Sequence, residues 1–334
     1  MFTKTLLAAG LATATATPTL FSEDADRQRF MFDTFVREHN KQYAPEEVQT
    51  RFLNFVQNLK IADERNQAER KNNGTAVHGI SRFMDLSQEE FRSNYLGARR
   101  PTDEDRSGLK TVLSSVPSAA SSSVDWSGVL TTPVKDQGYC GSCWAFSATE
   151  QLESDSMRTL GTSYILSAEQ TNQCTEYVFG GGCGGGFTES AYNYIKTSGG
   201  LVQDKDYPYT KSTYMGKTGA CEVDTSLDVV SLTGFTQIKG ETNMANYMLA
   251  TGPLSVCVAA EVWNTYRGGI LTTCPGGVDH CVQAVGVDTS RNGYWKVRNS
   301  WGTSWGEDGY IRLAYGSDTC KITDDATYVD AVMA

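Results

Sequence analysis

The stretch DQGYCGSCWAFS, residues 136–147, holds Cys140 and Cys143, three positions apart. Such a pair can be a redox dithiol, two zinc ligands, two disulfide halves, or one disulfide half beside a nucleophilic thiol. A zinc site needs about four Cys or His ligands at close spacing, but the chain has no second Cys-x-x-Cys and no clustered histidines. A thioredoxin-like pair follows a strand, whereas DQGY is typical of a loop. The last two interpretations therefore remain open.

The residues after Ser142, CWAFSATEQLESDSMRTLG, predict an amphipathic helix with Ser142 as its N-cap and Gly161 as its terminator. Cys143 then lies at a helix N-terminus, where the partial positive charge favours a thiolate. A thiolate nucleophile needs a base, and His280 is the single histidine beyond residue 78. A strand is predicted to begin just after His280 and to present its side chain to a cleft. A lone histidine is more often a satisfied core residue, so His280 alone does not decide the function.

The stretch RNSWGTSWG, residues 298–306, offers a group that could orient such a base. On a strand, Asn299 and Trp301 would face the same side. The amide could then hold an imidazole while the indole shields that hydrogen bond from water. For these residues alone, a turn-rich surface loop with core tryptophans is the favoured alternative.

Features of the whole chain predict a secreted, disulfide-bonded protein. Lys4, an apolar run from Leu6 and the small residues up to Ala16 predict a signal peptide, residues 1–16. No later run of about 18 apolar residues occurs, so no membrane span is predicted. Nine cysteines are an odd number, which leaves at least one free thiol in a monomer. The net charge of −10 argues against nucleic acid or an anionic membrane as partner.

Composition divides the rest of the chain into two parts. Residues 22–97 lack cysteine and show mostly helical periodicity, and residues 98–123 have the Ser- and Pro-rich composition of a linker open to proteolysis. The cysteine-bearing part has a helical first half and, from about Val229, runs typical of strands. The sequence thus predicts an α+β protein with an N-terminal region, residues 17–119, and a main domain, residues 120–334.

Gln137, the CGSCWAF run, His280 and the NSWG run together resemble the papain-like cysteine peptidases (papain/cathepsin L-like), with His280 137 residues and Asn299 156 residues after Cys143. The resemblance implies a two-lobed fold, with a helical lobe, a β-barrel-like lobe and the active-site cleft between them. It also implies that residues 17–119 are a mostly helical inhibitory propeptide. Its first motif is present as Glu47, Arg51, Phe55, Asn58 and Asn66, with Ala62 where isoleucine is usual; its second is Gly79-x-Ser81-x-Phe83-x-Asp85, with Ser81 where asparagine is usual.

The activity implied by the resemblance is that of a cysteine endopeptidase made as a zymogen. Cys143 and His280 would form a thiolate–imidazolium pair, Asn299 would orient the imidazole, and Gln137 would stabilise the oxyanion. The implied partners are protein or peptide substrates, the chain's own propeptide and cystatin-like inhibitors; no cofactor or metal is expected, and the protein should be a monomer outside the cell or in a lysosome or vacuole. A transpeptidase or a non-catalytic storage protein on this fold are the rival functions.

The resemblance also assigns the remaining cysteines and a specificity pocket. It implies the disulfides Cys140–Cys183, Cys174–Cys221 and Cys274–Cys320. Cys257 and Cys281 are left over; free thiols are favoured for them, with a pocket-wall disulfide as the alternative. The residues that align with substrate-binding positions are Gly185, Gly186, Phe187, Thr188, Cys257, Cys281, Asp325 and, beside the base, Trp301. Asp325 at the pocket base leads to the hypothesis that the pocket accepts Arg or Lys, against the alternative of a solvated C-terminal acid.

Overall fold

The computed structural model describes residues 19–176 and 181–334, so the predicted signal peptide lies outside the described residues. The helices are α1 (Ala25–Glu38), α2 (Val48–Lys71), α3 (Gln88–Tyr95), α4 (Cys143–Leu160), α5 (Ala168–Cys174), α6 (Thr188–Ser198), α7 (Lys211–Tyr214) and α8 (Glu241–Ala250). Within the described ranges, no helix combines the length and the apolar character that a membrane crossing requires.

The strands are mostly contributed by the second half of the chain. They are β1 (Val77–His78), β2 (Leu109–Leu113), β3 (Ser123–Asp125), β4 (Val230–Ile238), β5 (Leu254–Val258), β6 (Tyr266–Gly268), β7 (Ile270–Leu271), β8 (His280–Asp288), β9 (Tyr294–Arg298), β10 (Tyr310–Ala314) and β11 (Asp325–Met333). The main sheet has the order β2-β4-β11-β5-β8-β9-β10-β7, and β3 pairs with β8. The predicted α+β, two-lobed fold is confirmed.

The N-terminal region folds around its own aromatic core. The helices α1 and α2 bury Phe32, Phe35, Phe55 and Leu59, together with Met84 of the following segment. Asn58 ties α2 to that segment, because its amide donates to the carbonyls of Met84 and Leu86, both at 2.8 Å. The first motif of the sequence thus consists of buried positions and hydrogen-bonding positions on one helix. Ala62 is fully buried.

The second motif connects this region to the main domain. Ser81, which replaces the usual asparagine, donates a short hydrogen bond to the carbonyl of Asn264. Asp85 instead stays within the N-terminal region and accepts from Lys41 at 2.9 Å and from Tyr43 at 2.8 Å. Ser81 therefore binds the main domain, whereas Asp85 binds other residues of the N-terminal region.

The helix α4 is the centre of the main domain. It packs on α6 on one side and on β8 and β11 on the other, and it ends as predicted at Gly161 with φ of 69°. The prediction for its start is only half right. Ser142 is at the N-cap position, but its hydroxyl makes no capping bond and instead hydrogen-bonds the Tyr209 hydroxyl at 2.8 Å.

The segment between the N-terminal region and the main domain is not a free linker, contrary to the expectation for residues 98–123. Its strand β2 pairs in parallel with β4 at the edge of the main sheet. Downstream, the backbone N–H of Val116 donates to Asn243 and that of Ala119 to Asn246. Ser- and Pro-rich composition does not reveal these contacts, because the segment is held by its backbone.

Four disulfides are present in the described structure: Cys140–Cys183, Cys174–Cys221, Cys257–Cys281 and Cys274–Cys320. The expectation of free thiols at Cys257 and Cys281 was wrong. These residues are directly opposite each other in the antiparallel pair β5–β8, with their Cα atoms 4.0 Å apart. The register of the two strands brings the sulfurs together, and that register cannot be read from either strand alone. Cys143 is the free cysteine.

Peptide mapping of the chain denatured without reduction should give four linked cysteine pairs and one alkylated thiol, on Cys143. A linked peptide should carry Cys257 and Cys281, because their strands are hydrogen-bonded neighbours. Alkylation of these two cysteines in the denatured, unreduced protein would contradict the pairing. Full alkylation of all nine cysteines after reduction is the control.

Candidate active site

Cys143 is the first residue of α4 and is fully buried. The turn of residues 138–141 leads into the helix and is fixed by the disulfide from Cys140 to Cys183. The backbone N–H groups of Cys281, Gly97 and Trp144 lie near the sulfur and each favours the ionised form of the thiol. The thiol thus lies at a helix N-terminus, as the sequence predicts, in a ring of main-chain donors.

His280 is the first residue of β8 and lies fully buried beside Asn299. Its Nε2 is 2.8 Å from the Asn299 Oδ1, which also accepts from the backbone N–H of Ser300. The other ring nitrogen, Nδ1, has no hydrogen-bond partner within residues 19–176 and 181–334. With Nε2 engaged by the amide, Nδ1 is the nitrogen that can exchange a proton with a thiol.

The indole of Trp301 covers this hydrogen bond. Its ring centroid is 4.8 Å from that of His280, and both residues are fully buried. The predicted strand through these residues is wrong, since β9 ends at Arg298 and Trp301 only bridges to Asp136. The turn after β9 nevertheless places amide and indole on the same side.

Gln137 presents its side-chain amide to the same space. Ser300 holds the amide in orientation by donating to its Oε1 at 2.6 Å. Its Nε2 donates to the carbonyl oxygens of Cys140 at 2.7 Å and of Tyr95 at 3.2 Å. The Tyr95 carbonyl belongs to the N-terminal region. A peptide carbonyl of that region thus accepts a hydrogen bond from the same Gln137 amide that the sequence assigns to the oxyanion.

The chain after Tyr95 runs through the groove as an extended segment. Gly186 donates to the Gly97 carbonyl at 2.9 Å and accepts from the Arg99 N–H at 3.1 Å. A Cβ atom on Gly97 would lie 1.8 Å from the Gly141 carbonyl oxygen, so only glycine fits at this position. Gly185 likewise has φ of 99°, and a Cβ there would lie 2.4 Å from the Gly97 oxygen. The backbones approach each other as closely as the sequence predicts for a substrate.

Several of the predicted pocket residues lie on adjacent strands of the main sheet, and two others lie at the start of α6. Asp325 of β11, Cys257 of β5 and Cys281 of β8 are register partners across three adjacent strands. Phe187 and Thr188 are buried at the start of α6. Asp325 is 6% exposed, so the alternative of a solvated C-terminal acid is wrong.

The sequence reasoning missed Glu189, which is buried beside Asp325. In the sequence it is an acid in the first turn of a predicted helix, which the helix dipole explains without any further role. The available signal was its position, three residues after Gly186, which the resemblance assigns to substrate binding.

Comparison with known proteins agrees with this geometry. Residues 120–330 match the papain family cysteine protease, and residues 32–91 match the cathepsin propeptide inhibitor domain (I29). The chain belongs to the papain family of cysteine proteases. It is a protease with a propeptide, that is, a zymogen, as predicted.

Relatives of this papain-family chain match it over most of their length. "Cysteine proteinase 1" of Dictyostelium discoideum is 34% identical in an alignment of 321 residues that covers 89% of this chain and 91% of the relative. "Cathepsin L 2" of Paramecium tetraurelia is 36% identical over 87% of this chain and 89% of the relative. The structure of digestive procathepsin L 3 from Tenebrio molitor larval midgut has a TM-score of 0.79 at 30% identity, over 91% of this chain and 99% of that one.

In this zymogen both charged forms of the Cys143–His280 pair are disfavoured. Burial raises the pKa of the Cys143 thiol to about 11, although the surrounding N–H groups lower it. Burial also lowers the pKa of the His280 imidazole to about 4, against the opposite effect of Asn299. Burial in the zymogen thus favours the neutral thiol and the neutral imidazole over the thiolate and imidazolium expected from the sequence.

A thiol-directed epoxide should label Cys143 in the intact zymogen at least about a thousandfold more slowly at pH 7 than after propeptide removal. With a pKa of about 11, about one thiol in ten thousand is ionised at this pH. The zymogen rate should rise with pH, since the thiolate fraction increases. Mass spectrometry of the adduct measures both rates.

A Cys143→Ala chain is the control and should give no adduct. Equal labelling rates for zymogen and processed enzyme would contradict the neutral, occluded state.

Proposed function

We propose that this protease is an endopeptidase in which Cys143 is the nucleophile, His280 the general acid and base, Asn299 the orienting group and Gln137 an oxyanion donor. The observation that carries these roles is the 2.8 Å contact of His280 Nε2 with Asn299 Oδ1, which leaves Nδ1 for the thiol. The 3.2 Å hydrogen bond from the Gln137 amide to a peptide carbonyl supports the fourth role.

Catalysis begins when a substrate replaces the propeptide in the groove. The Cys143 thiol gives its proton to His280 Nδ1, and the resulting thiolate attacks the scissile carbonyl carbon. The carbonyl oxygen becomes an oxyanion held by the Gln137 amide and the backbone N–H of Cys143. The C–N bond then breaks as His280 returns the proton to the leaving amine.

Deacylation uses the same groups in reverse. His280 takes a proton from water, and the hydroxide formed attacks the thioester carbon of the acyl-enzyme. The C–S bond breaks, the carboxylic acid leaves, and Cys143 and His280 are restored. Asn299 keeps the imidazole in one orientation through both halves, because its Oδ1 holds Nε2 throughout.

Opening of the site changes the electrostatics in favour of this chemistry. Readmitted water removes the desolvation that keeps the Cys143 thiol and the His280 imidazole neutral. The α4 N-terminus and its N–H groups then favour the thiolate. The propeptide thus inhibits twice, by filling the groove and by suppressing the ion pair.

We also propose the boundaries of the segments of the chain and its cellular destination. Residues 1–16 act as signal peptide, residues 17–119 as inhibitory propeptide and residues 120–334 as the peptidase domain, which is monomeric. The four disulfides support passage through an oxidising secretory compartment towards a lysosome, a vacuole or the outside. The absence of a further histidine in residues 120–334 supports endopeptidase action, because no histidine-bearing insertion blocks one end of the groove.

Gln137→Ala in the processed enzyme should lower kcat by about a hundredfold to a thousandfold, because one oxyanion donor is lost. The Gln137 side chain also orders the turn before Cys143, so the active sites must be counted by titration with the epoxide. Hydrolysis of a fluorogenic peptide gives kcat per titrated site.

Gln203→Ala is the matched control, since this side chain makes no hydrogen bond in the described ranges, and it should leave kcat unchanged. Cys143→Ala should abolish turnover. A Gln137→Ala enzyme with unchanged kcat per site would remove Gln137 from the mechanism, and turnover by Cys143→Ala would overturn the proposed function.

Incubation of the full chain at low pH should produce a species that begins near residue 120, as measured by intact mass. A Cys143→Ala chain should not process itself and should be cleaved when the active enzyme is added. Processing of the Cys143→Ala chain alone would show that the cleavage is not its own.

A further inference from the structure

The last part of the N-terminal region, residues 105–119, is held by the main domain alone. In the described structure, every hydrogen bond and ion pair that these residues make beyond residues 102–119 goes to the main domain. Residues 19–98, by contrast, cover Trp301 through Phe83 and Phe91. Removal of residues 19–98 would therefore take away none of the bonds that hold residues 105–119.

The first half of this segment pairs with the main sheet through its backbone. The strand β2 lies parallel to β4, and Leu109 is opposite Phe235. At the other end of the pair, Leu113 is opposite Ile238. The backbone N–H of Lys239 continues the ladder by donating to the Leu113 carbonyl at 2.9 Å. Main-chain bonds of this kind give affinity for an extended peptide without demanding a particular sequence.

Two asparagines of α8 hold the second half, also by its backbone. The Asn243 amide accepts from the Val116 N–H at 3.0 Å and donates to the Ser114 carbonyl at 2.9 Å. The Asn246 amide accepts from the Ala119 N–H at 3.4 Å and donates to the Val116 carbonyl at 3.3 Å. The two asparagines are three residues apart and so share one face of the helix. Their amides continue the main-chain recognition beyond the end of β4.

Side chains of the segment add selectivity to this backbone recognition. Leu109 packs against one buried apolar cluster of the main domain, and Leu113 and Val116 pack against another. The Lys110 Nζ is 2.9 Å from the Asp330 Oδ2. The ligand that fits this surface is thus an extended peptide with apolar side chains at three fixed positions and a cation beside the first of them.

This surface is separate from the catalytic groove, and the chain on either side of the bound segment is exposed. The strands β11 and β5 lie between β4 and β8, the strand that begins at His280. Residues 102–104 and 120–123 are exposed, and exposed connections of this kind are open to proteolysis. Cleavage on both sides would release residues 105–119 as a peptide that still faces all of its partners on the main domain.

We propose that the β4 edge, with Asn243 and Asn246, is a second peptide-binding site of the processed enzyme, and that it rebinds the protein's own residues 105–119 after they are cut free. The inference goes beyond the proposed peptidase chemistry, because no residue of this site belongs to the catalytic groove. A molecule that fills the groove should therefore leave this site open.

The test uses a synthetic, fluorescein-labelled peptide of residues 105–119 and processed enzyme whose Cys143 has been blocked with the epoxide. The block prevents cleavage of the peptide and fills the groove. Fluorescence anisotropy should show saturable binding of one peptide per enzyme, and unlabelled peptide should displace the labelled one. Binding should be equally tight before and after a further groove-directed inhibitor is added.

Methylation of one backbone nitrogen tests the recognition by Asn243. A peptide N-methylated at Val116 lacks the N–H that the Asn243 Oδ1 accepts, and its affinity should fall at least about tenfold. The matched control is the peptide N-methylated at Ser115, whose N–H makes no hydrogen bond in the described structure and which should bind like the unmodified peptide.

The enzyme side is tested with Asn243→Leu, which should also weaken binding of the unmodified peptide at least about tenfold. Gln203→Leu is the matched control and should bind the peptide like the wild type. Before blocking, both variants should hydrolyse a fluorogenic peptide at the wild-type rate per titrated site, which shows that they are folded.

Two results that do not depend on the folding of a variant would overturn the inference. One is the absence of saturable binding of the unmodified peptide to blocked wild-type enzyme. The other is equal affinity for the peptides methylated at Val116 and at Ser115. Failure of the unblocked wild-type enzyme to react with the epoxide or to hydrolyse the fluorogenic peptide would count against the proposed function instead.

Discussion

The Trp301 indole lies between the proposed catalytic residue His280 and two aromatic rings of the propeptide, those of Phe83 and Phe91. It tilts over His280 at 4.8 Å, and the rings of Phe83 and Phe91 meet it at 5.3 Å, each nearly perpendicular. Edge-to-face packing of this kind fixes ring positions as well as burying area. The side chain that shields the His280–Asn299 hydrogen bond is thus also the surface on which the propeptide is seated. The geometry proposed for catalysis and the seating of the propeptide thus share one buried ring.

This arrangement links inhibition to solvation. While Phe83 and Phe91 cover Trp301, the catalytic pair lies in a medium that penalises charge, and its proton stays on sulfur. Inhibition by desolvation therefore leaves the site assembled, because the contacts of Asn299 with His280 and of Ser300 with Gln137 lie within the peptidase domain.

The sequence predicted the fold from local patterns and the resemblance, and it nominated the candidate site residues through the resemblance. The helix after Cys143 and the strands β4, β5, β8, β9 and β10 follow from periodicity, and the resemblance brought His280 and Asn299 together. The helix α8 and the strand β11 were not predicted, although β11 lies between β4 and β5 in the sheet.

What the sequence could not supply was register and burial. The Cys257–Cys281 bond depends on which residues of β5 and β8 face each other. The burial of Glu189 beside Asp325 depends on how α6 packs on β11. The backbone hydrogen bonds of β2 cannot be predicted from composition, since every residue except proline has both the N–H and the C=O that make them.

Pairing of β2 with β4 affects how the zymogen can associate with other chains before maturation. An unpaired sheet edge presents free N–H and C=O groups that can template association with another chain. In the zymogen, Leu109–Leu113 pair with the β4 edge, so the N–H and C=O groups of that edge are not free to pair with another chain. The position of the cut then matters for solubility, because a break upstream of Leu109 keeps the edge covered, whereas a break near residue 120 frees the covering strand to leave.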